Sequence, residues 1–153
     1  MPKTLPLALA ILATACVGQP LVAPTPVTFH SSRSPADVTR GAAVALVDAG
    51  FRVTQTDSLG YALTATRAAT HNGNADFVTC NMPSGSAAAA NRETTLTILL
   101  RSVAAAAGSD VTIGSSVKTD FPGYEGTAIQ VPAADSLCVS RGTMERRLEA
   151  ALR

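Results

Sequence analysis

The sequence predicts an α+β domain of two layers: an antiparallel sheet of about five strands with two helices on one face, in strand, helix, meander, helix order. Three observations predict it. A stretch around residue 40 carries both the start and the stop signals of a helix. Several runs between residues 51 and 119 alternate apolar and polar side chains, as half-buried strands do. The C-terminal residues repeat apolar side chains at helical spacing, and helices flanking an antiparallel run of strands bury one sheet face.

Residues 1–15 hold Lys3 and an apolar run from Leu5 to Ala15, far short of the roughly 20 residues that span a bilayer, so they read as an export signal. Residues 16–27 carry Pro20, Pro24 and Pro26 among few charges and read as an extended tether. At about 3.1 Å per residue this tether would hold a folded domain roughly 30 Å from a membrane. Residues 28–153 form that single domain, opening on a short strand at "TPVTFHS".

"SPADVTRGAAVALVDAGF" is the clearest local signal. Ser34 stands as N-cap, Pro35 at the first helical position, Asp37 three residues after the cap and Gly50 past the end, while Val38, Ala42, Ala45, Leu46 and Ala49 share a stripe. Phe51 and Val53, then Tyr61, Leu63 and Ala65, alternate with polar residues around a turn at Ser58-Leu59-Gly60. Asn72-Gly73 is a type I′ dipeptide and predicts a hairpin from residues 61–70 into 75–80, followed by a flexible loop at "PSGSAAAAN". Residues 94–105 and 109–119 predict two more strands joined near Gly108. "FPGYEGTAIQVPAAD" is an irregular excursion returning to Cys138. Ser140 or Thr143 is expected to cap a last helix whose Met144, Leu148, Ala151 and Leu152 share a face.

At the end of the signal, "LATAC" resembles the lipobox of bacterial lipoproteins. That resemblance implies that Cys16 is diacylated and becomes the first residue, with palmitate-type chains as membrane anchor. Each buried methylene contributes about 0.8 kcal/mol, and two or more chains hold stably. Val17 stands where Asp marks inner-membrane retention, so the resemblance implies an outer-membrane address facing the periplasm; ordinary cleavage would instead leave a soluble periplasmic or secreted domain. The order of elements, and "ALVDAGFRVTQTDSLGYALTATR" in particular, resembles the helix-grip domains of envelope lipoproteins of the BamC type, and transfers no functional residue.

Composition narrows the chemistry. Cleavage after residue 15 of 153 leaves 138 residues, room for one core but hardly two. The mature chain is formally neutral, with Lys118 its one lysine, and has no tryptophan, so nucleic-acid binding lacks its driving force. With Cys16 acylated, Cys80 and Cys138 remain in an oxidising compartment and are expected to pair. The alternative makes Cys80 a nucleophile with His71 as base, but no third orienting group is evident.

Other constellations are weak. His71, Asp76 and Cys80 lack the short fixed spacing of a metal site, and no metal or other cofactor is expected. No serine lies in G-x-S-x-G, Asp110, Asp120 and Glu125 form no evident carboxylate pair, and no glycines form a phosphate loop. Phe121, Tyr124 and Ile129 concentrate apolar bulk in a Pro- and Gly-containing loop and are candidates for partner contact. The expectation is a non-enzymatic lipid-anchored domain that contacts another envelope protein, with a periplasmic small-ligand-binding module as the alternative.

Overall fold

Ser34 starts the first helix, α1 (Pro35–Asp48), with its Oγ accepting from the Asp37 amide at 3.2 Å and donating to the Asp37 carboxylate at 2.7 Å. Pro35 comes next, at the position whose N–H would have had no helical partner. The computed structural model describes residues 21–80, 92–120 and 138–153. Around α1 lie β1 (Val27–Ser31), β2 (Arg52–Asp57), β3 (Ala62–Thr70), β4 (Val78–Cys80), β5 (Glu93–Ala105), β6 (Gly108–Asp120), β7 (Cys138–Ser140) and a second helix, α2 (Thr143–Leu152). The fold is α+β, with a five-stranded antiparallel sheet in the order β1-β6-β5-β3-β2.

One register of side chains carries the core. Phe29, Leu63, Ala65, Leu96, Ile98, Leu100, Val111 and Ile113 alternate inward from the sheet and join Val38, Ala42 and Leu46 of α1 and Met144, Leu148 and Leu152 of α2. Small residues at 42, 45 and 49 let α1 approach closely, as its stripe predicts. The tether residues 21–26 form no regular structure, and β1 begins at Val27, just after Pro26.

Three expectations need correcting. The strands do not run as one meander, because β4 leaves the sheet and pairs with β7 in a separate two-stranded ribbon. Asn72-Gly73 makes no hairpin: β3 ends in a 3₁₀ turn at His71–Asn74, and Gly73 has no positive φ, which a type I′ turn requires. The Asn74 side chain explains the outcome. It donates to the Thr94 carbonyl and Oγ1 at 2.8 and 2.9 Å and accepts from Arg67 Nε at 3.1 Å, anchoring the turn against β5. Phe77 then turns inward under Arg67 and Arg147, edge-on to Phe51 at 5.6 Å, and carries β4 away from β3.

The third correction concerns α2. Neither Ser140 nor Thr143 caps it; Gly142 does, at φ +69, with no side-chain cap bond. Ser140 is held in β7 opposite Val78, so its Oγ instead accepts from the Gly142 amide at 3.0 Å and donates to the buried Glu145 carboxylate at 2.8 Å. Glu145 lies in the first turn, where the helix N-terminus favours a negative charge.

Candidate functional site

The alternate register of the sheet faces water. Thr66, Thr97 and Ser116 form one row across β3, β5 and β6; Thr64, Leu99 and Gly114 form the next; Ala62, Arg101 and Thr112 the one after. Strand alternation puts hydroxyls here because the period of two sends β-branched polar residues opposite the core residues. Two residues break that pattern. Leu99 and Val103 are 49% and 51% exposed, on the same strand four residues apart. A shallow groove of about 350 Å³ runs beside Leu99, bordered by Pro26, Ala62, Thr64, Arg101 and Gly114. A Cβ at Gly114 would meet no atom within 4 Å, so the groove is open there. Apolar residues ringed by hydroxyls and charges are the makeup of a protein contact surface.

At one margin, His30 of β1 stands opposite Asp110 of β6, with Nδ1 3.1 Å from the carboxylate and Nε2 3.1 Å from the Ala107 carbonyl. Only an imidazolium donates to both. The Asp110 carboxylate, and then the Ala107 carbonyl, therefore raise the His30 pKa above its ordinary 6.5. Because the folded-state value is the higher one, this contribution to stability is present below pH 6.5 and is lost as pH rises through the folded pKa. A proton NMR titration should put the His30 midpoint above 6.5, and Asp110→Asn should bring it down.

A second concavity, about 230 Å³, lies between α1 and the β2–β3 hairpin, lined by Ala36, Thr39, Ala43, Thr56, Tyr61 and Leu63. Tyr61 borders it from a left-handed backbone, φ +46, the only positive φ outside glycine among the described residues. A bulky residue rarely adopts that conformation. It is held by contacts on both sides: the Asp57 carboxylate accepts from the Leu59 and Gly60 amides at 2.9 Å each, and the Tyr61 carbonyl accepts from the Ser102 amide at 3.0 Å.

Of the residues singled out by the sequence, Cys80 and Cys138 face each other in the β4–β7 register at disulfide distance, with Cα atoms 4.0 Å apart. Cys80 is thereby committed, Asp76 is exposed, and no group of three or more metal-ligating side chains occurs among the described residues. Cys16, Phe121, Tyr124, Glu125 and Ile129 lie outside the described residues. No helix among the described residues is long and apolar enough to cross a membrane. Sequence reasoning missed Leu99 and Val103, although a signal existed: "ILL" places apolar side chains in both phases of β5, so one must face out. No protein-family model matches the chain, and no curated protein matches it.

Proposed function

We propose that the chain is an exported bacterial lipoprotein, anchored through acyl chains on Cys16 at the outer membrane and facing the periplasm. Its domain works by contact with another envelope protein, without catalysing a reaction. In this reading residues 1–15 are removed, residues 16–27 connect lipid to domain, and the domain is two-layered with both helices on one side. The succession of strand, helix, antiparallel strands and helix then resembles that of the BamC-type domains. The observation that carries the contact reading is the pair Leu99 and Val103, large apolar side chains half exposed among the hydroxyl and charged residues of the outer sheet face. "LATAC" supports the anchor.

Two measurements test this. Cys16→Ser should release the protein from membranes and end incorporation of labelled palmitate; membrane recovery without label defeats the anchor. A photoreactive residue at position 99 or 103 in intact cells should give one dominant protein adduct that the same residue at Val44 of α1, itself 59% exposed, does not give. Equal yields at the two places would sink the contact reading.

A second reading, a periplasmic small-ligand-binding module, is favoured by one observation: the left-handed Tyr61 at the α1–hairpin concavity, since strained backbone concentrates at binding sites. A micromolar ligand there would raise the melting temperature, whereas a pure adaptor stays flat across a compound screen.

A further inference from the structure

The sheet ends on β2, whose outer edge no other strand of the described residues covers. Five of its six residues are exposed, Val53 alone being half-buried. We propose that β2 pairs antiparallel with β2 of a second copy of this chain, Arg52 facing Asp57, Val53 facing Thr56 and Thr54 facing Gln55.

Two independent features point to this register. The first is charge: "RVTQTD" begins on a cation and ends on an anion, so antiparallel self-pairing closes two identical Arg52–Asp57 pairs, one at each end. Neither residue has an ion-pair partner among the described residues. Asp57 Oδ1 accepts from the Leu59 and Gly60 amides, while Oδ2 accepts from no donor among the described residues.

The second is the face. In an unbroken strand, residues five apart point to opposite faces, and Arg52 and Asp57 could not meet across a two-fold axis. The bulge between Val53 and Gln55 changes the phase. Arg52, Gln55 and Asp57 stand opposite Thr66, Thr64 and Ala62, whereas Val53 and Thr56 stand opposite the buried Ala65 and Leu63. With that shift, both members of the 52–57 pair lie on the water-facing side, and both members of the 53–56 pair on the core side.

A bulge and edge charges ordinarily discourage strand addition. Here they discriminate: a strand without an anion opposite Arg52 and a cation opposite Asp57 leaves them unmatched, whereas a second copy in this register satisfies both. The interface is isologous, so it closes at two copies and does not propagate through β2.

The test is sedimentation velocity on the full chain in detergent solution, up to roughly 100 µM, since a contact smaller than a standard interface is expected to have a micromolar Kd. The wild-type chain should show a monomer–dimer equilibrium. Arg52→Asp and Asp57→Arg, each placing like charges at both ends of the ribbon, should raise the Kd at least about tenfold. The double variant, which restores opposite charges, should return to within about threefold of wild type. A chain monomeric throughout, a dimer indifferent to the single exchanges, or a double variant that does not recover would each overturn the proposal. Far-UV circular dichroism and thermal melts of the single variants check the fold; Asp57→Arg also removes the bonds from the Leu59 and Gly60 amides, so Arg52→Asp, which breaks neither bond, reads the edge by itself.

Discussion

Replacing Cys80 and Cys138 together by alanine should lower the unfolding free energy by about 4 kcal/mol and the melting temperature by roughly 15 °C. The two cysteines are 58 residues apart, so joining them removes a large loop-closure entropy from the unfolded chain. The native side adds to the effect. β4 and β7 are three residues each and pair with one another, and a two-stranded ribbon of that length is marginal alone. Val78 and Cys138 nevertheless belong to the core, and β7 leads through Gly142 into α2. Loosening the ribbon therefore loosens the docking of Met144 and Leu148. Against a total of roughly 5 to 15 kcal/mol for an ordinary domain, the loss is a large fraction. Paired melts of wild type with and without reductant, followed by circular dichroism, measure it. A shift under about 3 °C on full reduction would show that the linkage does not carry this stability.

Gly108→Ala should cost about 3 kcal/mol, read as a lower urea midpoint at unchanged slope. Gly108 closes the two-residue turn between β5 and β6, paired with Ala105, at φ +127, a backbone that side chains rarely adopt. Space is lacking as well: a Cβ there would overlap the Ser31 carbonyl oxygen and press on Ser32 Cα. Those atoms belong to the end of β1, which is tied to the rest of the fold by Ser109 Oγ donating to the Arg33 carbonyl at 3.0 Å and Ser31 Oγ donating to the Leu152 carbonyl. Displacing the turn thus disturbs β1 and the end of α2 together. Gly114→Ala is the control. It lies mid-strand in β6, φ is not positive and a Cβ meets nothing, so its stability should stay within about 0.5 kcal/mol of wild type. Equal losses at both positions would show that strand propensity, and not the turn at Gly108, sets the cost.

Where the sequence is a reliable guide, the determinants are local. Ser34, Pro35 and Gly50 bound α1 through bonds made within a few residues, and the alternation in residues 94–105 and 109–119 marks β5 and β6 because one face of each is buried. It misleads where a local preference competes with a distant partner. Asn72-Gly73 favours a tight hairpin, yet Asn74 gains more by bonding Thr94 and Arg67, and the chain makes a 3₁₀ turn. Ser140 and Thr143 both suit a helix cap, yet Ser140 is held by its pairing with Val78 and gives its hydroxyl to Glu145.

The candidate contact face divides the same way. "ILL" requires an apolar residue on the wet side of β5, but its neighbours Thr64, Gly114 and Pro26 come from three other segments of the chain. The palindrome of charge in "RVTQTD" is written in the sequence, while the bulge that puts its ends on one face exists only against β3. By itself, then, the sequence determined the boundaries of α1, the long β5–β6 hairpin and the cysteines available to pair, because caps, period and residue chemistry act over a few positions. The tertiary structure alone decided the departure of β4 to β7, the burial of Glu145 and the composition of the exposed face, because each depends on which distant backbone groups and side chains compete for the same hydrogen bonds and the same space.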